Sequence, residues 1–315
     1  MATMKTLNGY GFNATELNGK AASDYLQKTD TATNSAKLGG KAPEYYIQPR
    51  NLLDNSDFRN RVNQRDIKSE TSVSAYSYFI DRWVNQTSEA RSFTLSTSGI
   101  GLPLATTLLQ KIEKIEAGKI VTFAIKLSDG TIATLTGTVQ YTSDGSWTRF
   151  ATITHSFGDM YMETMNGFVY VVVYNTKVIT IEWAALYEGS YTADTLPPYV
   201  PKGYAAELAE CQRYFWLCDN SYFSEGCGYA FAPNECRFMI STPQKMRISP
   251  SIIADNNNTT SYGIKLIING TVLTPTSVSV RKANNRLCLT LEGKFTTNAV
   301  GVMRIESQLS FSADL

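Results

Sequence analysis

Apolar and polar residues alternate in short runs along most of the chain, and this pattern predicts strands. Val121, Phe123, Ile125 and Leu127 alternate with Thr122, Ala124 and Lys126 up to an Asp129-Gly130 turn, as in a half-buried strand. Further strands are expected over residues 131–141, 146–154, 168–174 and 178–186. Strands about ten residues apart, split by Gly and Asp turns, read as an antiparallel β-sandwich over 51–189. Between Pro103 and Gly118, the spacing of Leu108, Ile112 and Ile115 predicts one short helix in a connection. Residues 190–203 hold Pro197, Pro198 and Pro201, which exclude helix or central strand and mark a linker. After it Tyr204, Leu208, Cys211, Phe215 and Cys218 fall at steps of four, three, four and three, along one face of a helix. Strands resume at 264–268, 271–273 beyond an Asn269-Gly270 hairpin signal, 277–281, 287–291 beyond an Asn284-Asn285 turn, and 300–311. The expected fold is all-β: an extended N-terminal repeat segment, then two β-sandwich, jelly-roll-like domains over 51–189 and 204–315, with one short helix at their junction.

Residues 1–50 show no sustained apolar period of 2 or 3.6 and cannot build a core alone. Within them Leu17-Asn18-Gly19-Lys20-Ala21-Ala22-Ser23-Asp24-Tyr25 recurs 21 residues later as Leu38-Gly39-Gly40-Lys41-Ala42-Pro43-Glu44-Tyr45-Tyr46, with a truncated echo at Leu7-Asn8-Gly9. One Leu, a Gly turn and one or two Tyr per unit suffice to pack against copies in neighbouring chains; the plainer reading is a flexible tether.

The charge balance, 29 basic against 28 acidic residues with 18% of the chain charged, excludes both a disordered acidic tail and a polybasic ligand for nucleic acid or anionic membrane. Cys211, Cys218, Cys227, Cys236 and Cys288 form no Cys-x-x-Cys pair, and His155 is the one histidine, so zinc is disfavoured and reduced thiols are expected. No run of 18 apolar residues occurs and the first residues lack an apolar signal core, so neither membrane insertion nor signal-directed secretion is expected.

The repeats at 17–25 and 38–46 resemble the Leu-x-Gly-Lys-x-Ala-x-x-Tyr units of bacteriophage tail fibres. Asn51-Leu52-Leu53-Asp54-Asn55-Ser56-Asp57-Phe58, Val62-Asn63-Gln64-Arg65 and Phe79-Ile80-Asp81-Arg82-Trp83 are similar to the opening of a carbohydrate-binding-like sandwich found in prophage tail proteins. Gln110-Lys111-Ile112-Glu113, Ala117-Gly118-Lys119, Gly145-Ser146-Trp147-Thr148-Arg149-Phe150 and Ala185-Leu186-Tyr187-Glu188-Gly189 extend that similarity. Glu207-Leu208-Ala209-Glu210-Cys211-Gln212-Arg213-Tyr214-Phe215 resembles the Cys-Gln-Arg-Tyr motif that introduces tail-fibre C-terminal domains, and Gln244-Lys245-Met246-Arg247-Ile248-Ser249-Pro250-Ser251 their later Met-Arg segment. The ending Ser310-Phe311-Ser312-Ala313-Asp314-Leu315 is shorter than the usual one, which puts the final strand's pairing in question. The resemblance implies a phage or prophage receptor-binding protein of the virion tail, made in the bacterial cytoplasm. It also implies a homotrimer joined to tail or baseplate proteins through its N-terminal segment, with no catalytic residue.

Noncovalent, multivalent binding of a bacterial surface glycan needs flat rings for sugar C–H faces and amides or carboxylates for hydroxyls, usually on loops over a rigid sheet. Residues 219–229 supply these, with Asn220, Tyr222, Phe223, Glu225 and Tyr229 as the glycan-binding candidates; the polar loop 255–262 is a second possibility. Either can equally be an ordinary loop or a trimer contact. Asp159, Glu163 and His155 are read as a polar loop between strands in preference to a catalytic cluster. The Asp81-Arg82-Trp83 trio is read as structural, Trp147 and Trp183 as inward rings on strands, and Cys211 as a small buried hydrophobe. No cofactor or metal is expected. The alternatives are a structural tail component that binds no receptor and, behind it, a surface-polysaccharide hydrolase.

Overall fold

The computed structural model describes residues 16–17, 20–21, 49–113, 115–218, 227–254, 263–268, 271–283, 286–295, 299–305 and 309–314. In chain order the strands begin with β1 (Glu16–Leu17), β2 (Lys20–Ala21), β3 (Ser72–Val73), β4 (Ser77–Ile80), β5 (Trp83–Asn85), β6 (Arg91–Ser92), β7 (Thr94–Ser96) and β8 (Gly99–Leu102). They continue with β9 (Thr107–Ile112), β10 (Ile120–Leu127), β11 (Ile132–Thr138), β12 (Thr148–His155), β13 (Gly158–Met165), β14 (Phe168–Asn175) and β15 (Ile179–Glu188). After helix α1 (Tyr204–Cys211) come β16 (Phe215–Cys218), β17 (Cys227–Ala232), β18 (Glu235–Ser241), β19 (Ser251–Ala254) and β20 (Ile264–Ile268). The last strands are β21 (Thr271–Leu273), β22 (Ser277–Ala283), β23 (Arg286–Glu292), β24 (Ala299–Ile305) and β25 (Leu309–Ser312).

The protein is all-β, with one short helix among the described residues, and every described strand pair is antiparallel. Residues 1–49 with 195–198 form one compact unit, and residues 50–194 with 199–315 form another. In the first, the described part is the β1–β2 pairing of Leu17 with Lys20, which flanks Asn18-Gly19 of the first repeat. The rest of the repeats lies outside the described residues.

In the second unit, a five-stranded sheet (β11-β10-β15-β8-β7) and a six-stranded sheet (β12-β13-β14-β9-β5-β4) enclose one apolar core. Phe123, Ile125, Ile181 and Leu186 from the first sheet and Leu108, Met160, Met162, Val171 and Val173 from the second fill it. At its end Trp83, 1% exposed, meets the edge of Phe58 at 5.0 Å, and its Nε1–H donates to the Asn55 carbonyl at 3.0 Å. The segment Asn51 to Phe58 is stitched in by amides. Asn51 Nδ2 donates to the Ala184 carbonyl while its Oδ1 accepts from Leu186 N–H, so it mimics a strand partner for β15. A three-stranded sheet (β16-β25-β19) and a seven-stranded sheet (β21-β20-β24-β17-β18-β23-β22) hold a second core around Phe238, Leu266, Leu289, Met303 and Phe311. Gly228 is required there, because a Cβ at that position would overlap the ring of the buried Phe238.

Several expectations need correction. The stretch proposed as a helix around Leu108 and Ile112 is the central strand β9, paired on both sides to β14 and β5. Leu108 and Leu109 are buried on opposite faces of the sheet, and this doubling of apolar residues imitates helical spacing. Helix α1 stops at Cys211 and buries Glu207 and Cys211, with Tyr204 exposed. Phe215 and Cys218, assigned by periodicity to the same helix, lie in β16, because pairing with β25 captures them. Residues 300–311 make two strands, β24 and β25, not one. The shortened C-terminal ending is nonetheless paired, since β25 bonds to β16 and β19, and Ala313 N–H reaches the Tyr214 carbonyl at 2.5 Å. β10 is not half-exposed: Thr122 and Ala124 are buried beneath the chain at 189–191, where Thr122 Oγ1 donates to the Gly189 carbonyl and accepts from Tyr191 N–H. Cys211, Cys236 and Cys288 are free and buried, and Cys218 is buried as well.

Replacing Trp83 by Phe keeps most of the ring but strands the buried Asn55 carbonyl. The unfolding free energy should fall by about 1–3 kcal/mol, the cost of an unsatisfied buried polar group, as read from urea denaturation midpoints.

Candidate functional site: an outer sheet face and the adjoining junction

The six-stranded sheet turns one face to its core, and its register puts the other residues in rows across the opposite face. One row runs Arg149, Glu163, Tyr170, Lys111; the next runs Thr152, Tyr161, Val172, Leu109, Val84, Tyr78; a third runs Thr154, Asp159, Tyr174, Thr107. They face outward because Met160, Met162, Val171 and Val173 occupy the inward positions between them. Val84, Leu109, Tyr170 and Val172 are buried beneath a cover of Tyr78, Tyr161, Met165 and Phe168. This outer surface is therefore an aromatic platform with polar edges. Burial pushes the Tyr170 hydroxyl up to about 12, against the opposing pull of Arg247.

Trp147 stands at the margin of the platform, 51% exposed, with its ring centroid 4.7 Å from that of Tyr170 and tilted by 50°. The preceding turn is held by Ser146 N–H on Asp144 Oδ1 at 3.0 Å and by Asn166 N–H on the Gly145 carbonyl at 3.1 Å. Gly145 takes a φ of +70° to make this turn. Beside it, Arg149 Nε donates to Glu163 Oε1 at 2.8 Å while the guanidinium covers the Tyr161 ring at 3.8 Å.

At the other end of the Lys111 row the platform meets the Cys-Gln-Arg-Tyr segment. Glu113 accepts from Arg213 Nη2 at 3.0 Å and Tyr214 Oη at 2.9 Å, and Arg247 Nε lies 3.3 Å away. The buried Arg82 donates through Nε to Asp54 Oδ2 at 3.0 Å and through Nη2 to the Lys111 carbonyl at 2.6 Å, and it stacks on Tyr214 at 3.4 Å. Arg65 pairs with Asp314 and covers Phe215, while Gln64 bonds both Asp81 and the Phe215 carbonyl. Between these groups opens a cleft of about 450 Å³, lined in part by Arg50, Asp54, Glu113, Lys119, Glu188 and Arg213. Both cations and carboxylates line it, offering donors and acceptors to a polar ligand. Burial pushes Asp81 up to about 6, with Arg65 opposing, and raises Asp314 and Glu207 as well. Burial also lifts the Cys211 thiol well above its ordinary value, so Cys211 is packed and unreactive at neutral pH.

Of the residues singled out from sequence, Asn220, Tyr222, Phe223 and Glu225 lie outside the described residues, as does the loop 255–262. Tyr229 is described: it is 46% exposed on β17, in register with Arg237 of β18 and Val300 of β24, on the outer face of the seven-stranded sheet. That is a strand position, not a loop. Residues 155–163 are likewise a strand hairpin and not a polar loop. Asp159 and Glu163 share a face of β13 but stand roughly 13 Å apart by strand rise, too far for a glycosidase carboxylate pair. Asp159 instead accepts from Thr154 Oγ1, and His155 stacks on Phe157, with burial lowering its pKa. Trp147 points outward, contrary to expectation. Trp183 is buried as expected, but beneath Tyr199, whose ring stacks on it at 4.6 Å. Sequence reasoning missed Tyr161 and Tyr170. Their signal was the alternation of Met160 and Met162 with Asp159, Tyr161 and Glu163, which is the pattern of a one-sided strand.

Among the described residues no group of three or more His, Cys, Asp or Glu could hold a metal ion, and no helix is long and apolar enough to cross a membrane. No family model matches the chain, and neither a curated protein nor a solved structure matches it.

The raised carboxylates have a linkage consequence. For Asp81 the folded state keeps its proton up to about pH 6, whereas the unfolded chain releases it near pH 4. Its stabilising contribution is therefore complete below pH 4 and is lost as pH rises through 6. Asp81→Asn should show a smaller gain in urea midpoint between pH 7 and pH 4.5 than the parent protein, since every other titrating carboxylate is common to both.

Proposed function

We propose that the chain is a phage or prophage tail-fibre protein that binds a bacterial surface glycan without cleaving it. The observation that carries this reading is the half-exposed Trp147, set over Tyr170 on an aromatic sheet face with the Arg149–Glu163 pair beside it. Flat rings pack against sugar C–H faces, and a fixed guanidinium and carboxylate offer donors and acceptors to hydroxyls, so one rigid surface combines both needs of saccharide recognition. The tail-fibre part of the reading rests on the resemblance of the repeats, the sandwich opening and the Cys-Gln-Arg-Tyr segment, and on their order in the chain. It is supported by the way Cys211 to Tyr214 joins the sandwich to the C-terminal sheets: a fibre tip must be held firmly to its stem for adhesion to be transmitted. Self-association belongs to the same reading. The outer face of the seven-stranded sheet exposes Tyr229, Met239, Val272 and Val300, apolar surface of the kind that copies of one chain cover.

Trp147→Ala should weaken adhesion of the purified protein to bacterial envelope polysaccharide by about tenfold or more, with the folded state and oligomer unchanged. Intact polysaccharide chain length after incubation is expected, and shortening would favour a hydrolase. Light scattering should return three times the 34.9 kDa chain mass, and a single-chain mass would overturn the trimer.

A further inference from the structure

Resting on the glycan reading above, we propose that the corner formed by Lys111, Arg247 and Arg213 binds an oxyanion carried on the saccharide, a carboxylate or a phosphate. Lys111 ends the row that begins at Arg149, so its amine sits where the aromatic platform runs into the junction. Its Nζ lies 3.9 Å from the Phe168 ring centroid and 5.7 Å from that of Tyr170. The Arg247 guanidinium also contacts the Phe168 ring, at 4.9 Å, and Lys282 Nζ donates to the Arg247 carbonyl at 2.9 Å.

The charges at this corner do not balance. Among the described residues Glu113 is the one carboxylate paired with Arg213 and Arg247, and Tyr214 shares it. Arg82 is already matched by Asp54 and Asp314. Lys111 forms no ion pair with a carboxylate among the described residues; the charges acting on it are Arg247 and Arg82, which, after burial, lower its pKa to about 8. A half-buried lysine held among arginines is costly unless something supplies the missing anion. The ammonium's place over the Phe168 ring supplies a cation–π partner for one charge but leaves the surplus of cations around it unmatched. An oxyanion reaching this corner would meet the ammonium and a guanidinium, with its sugar ring toward the exposed Trp147.

Glucuronic acid, glucose 6-phosphate and glucose share a pyranose ring and differ in charge, and they serve as probes with the full chain, followed by NMR of the lysine amines. The acidic probes should bind about tenfold or more tighter than glucose and raise the Lys111 pKa, the preferred one identifying which oxyanion the corner takes. Lys111→Met, which keeps an unbranched side chain beside Phe168, should remove most of that acid preference, a loss of about tenfold, as expected when one charge-assisted hydrogen bond is lost. Arg247→Met should act in the same direction, and Lys245→Gln, outside the corner, should have no effect. Equal binding of acidic and neutral probes, no binding of either, or an unchanged preference in Lys111→Met would overturn the proposal. If envelope polysaccharide adhesion still depends on Trp147 in that case, the glycan reading survives without the acid site. If that dependence is lost as well, both readings fail.

Discussion

The arrangement of the second unit depends on a buried guanidinium. Arg82 lies in the turn between β4 and β5 with a φ of +73°, a left-handed conformation that costs about 1 kcal/mol or more for a residue with a Cβ. Burial works against its charge, yet Asp54, Tyr214 and Asp314 hold its pKa above the ordinary arginine value. One side chain thereby ties the opening segment of the sandwich, the central strand β9, the Cys-Gln-Arg-Tyr segment and the C-terminal end. Gln110 reinforces the tie by bonding both the N–H and the carbonyl of Asp54. Removing a partner from such a cluster leaves a charge uncompensated in a desolvated place, which is more damaging than never having built the pair.

The same interaction positions the candidate site. Arg82 Nη2 binds the carbonyl of Lys111, so the strand whose backbone is anchored to the junction is the strand that presents the Lys111 amine to the platform. Glu113, two residues further on, then gathers Arg213, Tyr214 and Arg247 from the C-terminal part. The aromatic face is built on sheet register, whereas Trp147 and the cleft residues Arg50, Asp54, Glu113 and Arg213 come from the connecting segments. A side chain held on a sheet loses little freedom when it makes a contact.

The segments on which the tail-fibre resemblance rests have physical roles in this structure. Asn51 completes the pairing of β15, Asn55 bonds the Val62 and Asp81 backbones, and Cys211 to Tyr214 forms the wedge at the junction. These are structural positions, so their recurrence in a sequence speaks for an architecture. Lys111, Trp147 and Arg149, on which the proposed ligand chemistry rests, lie in the later resembling segments 110–113 and 145–150.

What was legible in the sequence follows from how local each determinant is. Strands with one wet face, such as β11 and β20, write their period of two directly into the chain, and the Asp129-Gly130 turn was readable for the same reason. β9 was not, because a strand buried on both faces loses its alternation, and α1 was overextended because Phe215 and Cys218 continue its spacing while β25 claims them by pairing. By itself the sequence determined an all-β chain with a buried Cys211 and a structural Asp81-Arg82-Trp83 trio. Only the tertiary structure decided that Trp147 faces outward, since its turn is pinned to Asn166, and that Arg213 meets Glu113 a hundred residues away. Which face a ring occupies and which charges meet are set by register and by long-range packing, and neither leaves a trace in nearest-neighbour pattern.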